Sequence, residues 1–93
     1  MALGDYFVTY HPAVRGDVSH IDLFWRREIS TAIRNKLTTQ PDLFGVPLRQ
    51  SLRGYRKLRV GNYRVVYRIE KNIVRIVAII HRSEGYRDIG KRL

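Results

Sequence analysis

The stretch that decides the fold is residues 52–86, which read LRGYRKLRVGNYRVVYRIEKNIVRIVAIIHRSEGY. From Tyr55 onward, apolar side chains alternate with cationic ones, which is the period of a β-strand with one buried face. Gly61-Asn62 and Lys71-Asn72 interrupt the alternation as two-residue hairpin turns do. We therefore predict three consecutive antiparallel strands over residues 55–60, 63–70 and 73–80. The last is almost wholly apolar, which favours a central strand covered on both faces.

The residues before this stretch predict one strand and two helices. Residues 5–10 are aromatic and β-branched, as in a strand, and His11-Pro12 ends them. A short amphipathic helix follows, and Asp22 can cap a second helix with an apolar stripe (Trp25, Ile29, Ala32, Ile33, Leu37). Residues 42–49 are expected to be a loop. The order β-α-α-β-β-β predicts one α+β domain over residues 1–93, with the helices on one face of a small curled antiparallel sheet.

Composition excludes several classes of protein. The 93 residues contain no cysteine, and the three histidines lack metal-ligand spacing, so we expect neither a metal nor a cofactor. No apolar run reaches the roughly 18 residues of a membrane span. The N-terminus lacks the basic start and apolar stretch of a signal peptide. We therefore expect a soluble cytoplasmic protein with no membrane partner.

Charge is confined to one half of the chain. Residues 1–46 hold five Lys/Arg and five Asp/Glu, whereas residues 47–93 hold thirteen and three, which accounts for the whole net charge of +10. Between Leu48 and Arg82 the only acidic residue is Glu70. Such a cationic sheet face can be a solvated surface that serves solubility, but a field of one sign favours a polyanionic partner. RNA is the partner that we predict.

His81, Arg82 and Tyr86 follow the last strand, beside this cationic face. RNA cleaves itself when its 2′-hydroxyl is deprotonated, the phosphorane is stabilised and the 5′-oxygen is protonated. Imidazole can transfer protons near neutral pH, guanidinium groups bind phosphate oxygens, and a tyrosine ring can stack on a base. From the residues alone, a ribonuclease and a simple RNA-binding module remain equally supported.

Four segments together resemble a known family: residues 11–14, residues 41–48, the run KLRVGNYRVVY over 57–67, and IHRSEGY over 80–86. In this order and spacing they are similar to the RelE/ParE superfamily of bacterial toxin–antitoxin toxins, and most closely to its RelE-type branch. The resemblance implies a ribosome-dependent mRNA endonuclease of a type II system. It also implies a cognate antitoxin, expected to be acidic or amphipathic, and DNA contact only through the toxin–antitoxin complex.

The resemblance also implies roles for individual residues. Arg64 matches the arginine that stabilises the scissile phosphate, Lys57 a lysine that acts as base or charge stabiliser, and Tyr86 the tyrosine that stacks on the target nucleotide. His81 and Arg82 match the acid or electrostatic position. Tyr55 stands where some relatives have a second lysine, which favours His81 for proton transfer. The candidate catalytic set is therefore Lys57, Arg64, His81, Arg82 and Tyr86, and the candidate RNA-binding set is Arg56, Arg59 and Arg68.

Two other functions stay open at this stage. A ParE-like inhibitor of DNA gyrase would share the fold, although that branch usually lacks the terminal tyrosine and the cationic cluster. A non-catalytic member of the family that binds RNA or the ribosome is the second alternative.

Overall fold

The alternating stretch forms the three long strands of a five-stranded sheet. The computed structural model describes residues 4–93, so the first three residues, part of the N-terminal segment without signal-peptide character, lie outside the description. The strands and helices are β1 (Phe7–Tyr10), α1 (Val14–Ser19), α2 (Leu23–Ala32), β2 (Val46–Pro47), β3 (Arg56–Val60), β4 (Tyr63–Glu70) and β5 (Ile73–His81). A π-helical turn, Ile33–Leu37, continues α2, and two 3-10 helices cover Gln50–Leu52 and Arg87–Arg92.

The sheet has the strand order β1-β5-β4-β3-β2. Strands β2 to β5 are antiparallel neighbours, whereas β1 pairs in parallel with β5, with Phe7 opposite Ile73. The predicted α+β class and helix–strand order are confirmed. The sheet is mixed rather than wholly antiparallel. The helices separate β1 from the later strands, and β1 lies at the edge of the sheet, where it runs parallel to its neighbour β5. The predicted loop at 42–49 also contributes the two-residue strand β2.

Local signals explain where the helices begin. The Asp22 carboxylate accepts a hydrogen bond of 3.0 Å from the Trp25 backbone N–H, so it caps α2 as predicted. The apolar stripe of α2 and its π-helical extension then faces the sheet, where Ile29, Ile33 and Leu37 are buried.

Both faces of the sheet are covered, which confirms the prediction for the apolar last strand. One face packs against the helices through Leu58, Val65, Tyr67, Val74, Ile76 and Ile79. The other face carries a second, smaller core made of Leu52, Val66, Val77, Ala78, Ile80 and Ile89. We call this second side the tail face, because the C-terminal 3-10 helix contributes Ile89 to it. The strong burial of β5 follows from sheet alternation, since its side chains contribute to both cores.

A β-bulge lies in β5 just beyond the end of β1, and the residues that follow it contribute to both cores. The register shifts between Val66 and Tyr67, which pair with Ala78 and Ile76, so Val77 is the extra residue. Past Tyr10, β1 no longer covers the outer edge of β5. There the Asp17 carboxylate accepts from the Ile79 N–H at 3.0 Å, and Arg92 donates to the Val77 carbonyl at 2.9 Å. These side chains satisfy strand groups that have lost their neighbour.

Candidate nucleic-acid interface and catalytic site

The tail face carries the cations that the alternation predicted. Leu58 and Val60 of β3 point to the helix-side core, so the intervening Lys57 and Arg59 point to the tail face. Arg59 stands directly opposite Arg64 of β4. Cross-strand neighbours of this kind have Cβ atoms about 5 Å apart, and opposed like charges destabilise the pair. An anion bound between them would relieve that repulsion.

Tyr86 joins this cationic group from the C-terminal segment. The Lys57 Nζ atom lies 5.9 Å from the centroid of the Tyr86 ring, within the range of a cation–π contact. Tyr86 is half-buried and packs against the second core. The segment that follows it is fixed by buried Ile89 and by Arg92, which forms a bidentate ion pair with Asp17 at 2.7 and 2.8 Å. Two residues 29 apart in the numbering therefore meet at a defined place.

The Arg64 guanidinium is held by the β3–β4 hairpin. Its Nη1 donates to the carbonyls of Gly61 at 3.1 Å and Tyr63 at 2.9 Å. A guanidinium has five N–H donors. Since both bonds use Nη1, the Nε and Nη2 donors form no bond to the described residues and can meet phosphate oxygens. Arg82 adjoins the same turn, because its backbone N–H donates to the Asn62 carbonyl at 2.7 Å, and its side chain is exposed.

These cations lack acidic partners. Within residues 4–93 the ion pairs involve Arg68, Arg75, Lys91 and Arg92, and none involves the four upper cations Lys57, Arg59, Arg64 and Arg82. We call these four residues with Tyr86 the upper cluster. Surface charges are ordinarily mixed in sign, so an uncompensated group of this size favours a bound polyanion.

His81 does not join the upper cluster, contrary to the grouping made from the sequence. It pairs across the sheet with Tyr63, and the two rings meet edge to face at 5.4 Å on the helix side. Its Nδ1 lies 2.7 Å from the Ser83 hydroxyl and accepts from the Ser83 N–H at 3.1 Å. The reason is alternation: Ile80 faces the tail side, so the next residue faces the other.

Arg56 is likewise absent from the tail face. Its Nη2 donates to the Asp42 and Gly45 carbonyls, both at 2.9 Å, and so ties the 42–45 loop to the edge of the sheet. Arg56 pairs with Tyr67, which belongs to the helix-side core, so this arginine faces away from Lys57. The RNA-binding role predicted for Arg56 lacks geometric support, whereas Arg59 and Arg68 lie on the tail face.

Two features of the site were missed in the sequence. Arg75 pairs with Arg68 across β4 and β5, and the signal for it was available, since it is the one charged residue within an apolar strand. The Asp17–Arg92 pair joins residues 75 positions apart. No local pattern indicates such a contact. The neighbouring Asp17 carboxylate raises the pKa of Arg92, which keeps its guanidinium charged.

The described residues form neither a cluster of metal-ligating side chains nor a membrane-spanning helix. Among residues 4–93, no group of three or more His, Asp or Glu side chains comes together as a metal ion would require. None of the helices formed by these residues has the length and apolar character needed to cross a membrane.

Comparison with known proteins identifies a family for this chain. The family model described as "ParE toxin of type II toxin-antitoxin system, parDE" matches residues 8–86. Among proteins of curated function, no significant match is found.

Solved structures share the fold. A chain of the toxin–antitoxin complex RelBE2 from Mycobacterium tuberculosis is 27% identical with a TM-score of 0.79, over 88% of this chain and 97% of that one. YafQ from E. coli is 22% identical with a TM-score of 0.60, over 84% and 94%. A chain of the YoeB–YefM complex from Staphylococcus aureus is 21% identical with a TM-score of 0.54, over 82% and 95%.

Proposed function

Because this chain belongs to the ParE toxin family of type II toxin–antitoxin systems, within the RelE/ParE superfamily, we propose that it is an mRNA interferase. It would cut messages on the ribosome and so stop translation in the cytoplasm. The observation that carries the proposal is the upper cluster. Lys57 lies over the Tyr86 ring, Arg59 stands opposite Arg64, and Arg82 adjoins the same hairpin, and within residues 4–93 none of the four cations has an acidic partner.

The proposed reaction uses the message's own 2′-hydroxyl. The 2′-oxygen attacks the adjacent phosphorus, and the bond from phosphorus to the 5′-oxygen breaks. The 2′-hydroxyl proton passes to solvent water and the 5′-oxygen takes up a proton from solvent, so the products are a 2′,3′-cyclic phosphate and a 5′-hydroxyl. No water is consumed in this step.

Each residue of the upper cluster has a proposed part in this step. Arg64 and Lys57 stabilise the additional negative charge on the phosphorane. The Tyr86 ring stacks on an unpaired base and thereby fixes the backbone for in-line attack. Arg59 and the exposed Arg82 hold neighbouring phosphates. Since His81 faces the other side of the sheet, we propose that it supports the 81–84 turn and transfers no proton.

The partners follow from the same proposal. A toxin of a type II system has a cognate antitoxin, and the solved RelBE2 and YoeB–YefM relatives are toxin–antitoxin complexes. We propose that this antitoxin is acidic, because it must mask the upper cluster of a chain with net charge +10. Ribosome and mRNA are the other proposed partners, and DNA contact would occur only through the toxin–antitoxin complex.

The test is cleavage of a translated message by wild type, Arg64→Gln and a matched control, Arg27→Gln, in a reconstituted translation system. Arg27 is exposed on α2, on the opposite side of the sheet, and its change removes the same charge. Losing one preorganised donor to the transition state should slow cleavage about 100- to 1000-fold for Arg64→Gln and leave the control near wild type. Equal cleavage by all three proteins would refute the proposed site.

A second candidate is a ParE-like inhibitor of DNA gyrase, which is favoured by the description of the matching family model. Gyrase supercoiling assays with the purified chain separate the two functions. Gyrase-dependent DNA breaks beside an intact message would establish the second candidate in place of the first.

A further inference from the structure

A second row of side chains crosses the tail face, away from the upper cluster. Arg68 of β4 pairs with Arg75 of β5, and Tyr55 stands opposite Arg68 because the next residue, Arg56, pairs with Tyr67. Arg68 lies four positions along β4 from Arg64. At about 3.3 Å per residue, the row lies roughly 13 Å along the strand from the upper cluster.

The row has the chemistry of a nucleotide-binding surface. The Arg68 guanidinium carbon lies 5.7 Å from the Tyr55 ring centroid, so the ring and a cation are held together. The side chains of Arg68 and Arg75 are 50% and 59% exposed. The Tyr55 hydroxyl and then Glu70 raise the pKa of Arg68 above its ordinary value, which keeps the guanidinium charged. Tyr55 packs against the second core and is partly exposed, and an accessible aromatic ring beside two arginines is the pattern by which proteins bind single strands.

Glu70 neutralises the row only in part. One carboxylate oxygen lies 3.8 Å from Arg68 Nε and 3.6 Å from Arg75 Nε, beyond hydrogen-bond distance in both cases. Two arginines thus share one carboxylate, and exposed ion pairs of this length contribute little to stability. A phosphate could therefore displace the carboxylate at small cost.

The apolar cover of the tail face keeps the row distinct from the upper cluster. Between them, Val66 of β4 and Ala78 of β5 are fully buried beneath a core that includes Leu52 and Ile89. The cationic face is consequently divided into two separate groups of charges, and a ligand must be long to reach both.

We propose that Tyr55, Arg68 and Arg75 form a second subsite for single-stranded RNA, in which the arginines bind a phosphate and the tyrosine ring stacks on a base. This inference rests on the proposed function, since the strand that it holds is the message whose cleaved nucleotide lies in the upper cluster. Glu70 competes with the RNA phosphate, so the acidic residue weakens binding.

The test measures binding of fluorescent 2′-O-methyl RNA, which cannot undergo 2′-hydroxyl attack, to the full chain. The proteins are wild type, the double variant Arg68→Gln/Arg75→Gln, Glu70→Gln, and a control, Arg15→Gln/Arg27→Gln, on the helix side. Each binds a trinucleotide and a dodecanucleotide over a series of salt concentrations. Circular dichroism establishes that every variant is folded.

The double variant should bind the dodecanucleotide at least about tenfold more weakly than the control, with a salt slope smaller by about 0.7 for the one lost phosphate contact. Trinucleotide binding should be the same in these two proteins, because the short strand occupies the upper cluster alone. Glu70→Gln should bind the dodecanucleotide more tightly than wild type does.

Three results would overturn the inference. One is equal dodecanucleotide binding by the double variant and the control. Another is an equal loss for both lengths of RNA, which indicates a general effect of charge. The third is unchanged or weaker binding by Glu70→Gln. Failure of the proposed ribonuclease activity is measured in a separate experiment, in which wild type would leave an unmodified message intact.

Discussion

At the residue scale, Arg64 combines a fixed position with remaining hydrogen-bond donors. Its Nη1 is held by two carbonyls of its own hairpin, which limits the guanidinium's freedom before any ligand binds. Preorganised donors of this kind stabilise a transition state without reorganising during the reaction. The resemblance of the sequence to known toxins identified this residue, but the hairpin carbonyls that orient it are visible only in three dimensions.

His81 shows where residue-level reasoning from the sequence fails. Adjacency to Arg82 suggested a shared site, yet adjacent residues at a strand end face opposite sides of a sheet. The almost wholly apolar 73–80 strand gave no signal for this. The bulge at Val77 reverses the alternation between Arg75 and His81, so the His81 ring lies with Tyr63 rather than with Lys57.

The variant His81→Asn tests the role that remains for this residue. Asparagine keeps an acceptor near the position of Nδ1, which now accepts from the Ser83 N–H, but it cannot transfer protons near neutral pH. Message cleavage should stay within about threefold of wild type, whereas loss of a general acid or base costs about 100- to 10,000-fold. A hundredfold loss in a variant with wild-type thermal stability would show that the ring takes part in chemistry.

At the scale of elements, the strands were predictable and their partners were less so. Alternation and turn residues placed β3, β4 and β5 within about one residue of their observed ends, because each signal is local. The parallel pairing of Phe7 with Ile73 depends on where the helices return the chain. The bulge at Val77 lies where Asp17 and Arg92, both distant in the sequence, form hydrogen bonds with β5, and no local pattern predicts these contacts.

The 41–45 loop is held to the sheet by the buried Tyr67 side chain, which has no exposed surface. Its hydroxyl donates to the carbonyls of Pro41 at 2.7 Å and Phe44 at 3.1 Å. At Gly45, where φ is +88°, an added Cβ would clash with the same hydroxyl. This packing is why the loop before β2 needs glycine there.

Burial raises the pKa of Tyr67 above its ordinary value of about 10. The folded chain therefore keeps a proton that the unfolded chain loses, so stability is complete below about pH 10 and falls as pH rises through the folded pKa. The variant Tyr67→Phe should lose about 1–3 kcal/mol at neutral pH, because two carbonyls lose their donor. The variant's unfolding free energy should then decline less than that of wild type in alkali, although Tyr10, whose pKa is also raised by desolvation, still contributes.

Urea denaturation of both proteins between about pH 7 and about pH 11 checks this expectation, since the range spans the ordinary tyrosine pKa. The difference in unfolding free energy between wild type and variant should narrow at the alkaline end. An equal decline in the unfolding free energy of both proteins would show that Tyr67 is not the source of the alkaline sensitivity.

At the scale of the whole molecule, net charge is distributed unequally between the two halves of the chain. The half of the chain that forms the helices is neutral, and the half that forms β2 to β5 and the tail carries the entire net charge of +10. A count of charged residues along the sequence revealed this asymmetry, because cations in the late strands are expected on the exposed face of those strands. The sequence count could not show that apolar residues of the tail divide this face into two groups of charges.

The central claim is that the upper cluster promotes attack by an RNA 2′-hydroxyl, and the chemistry of the cut ends tests it most directly. A message cut in a reconstituted translation system is analysed by mass spectrometry of its fragments. The account predicts a 2′,3′-cyclic phosphate on the upstream fragment, a 5′-hydroxyl on the downstream one, and no cut where the scissile nucleotide is 2′-deoxy. Upstream 3′-hydroxyl ends, or equal cutting of the 2′-deoxy message, would contradict it.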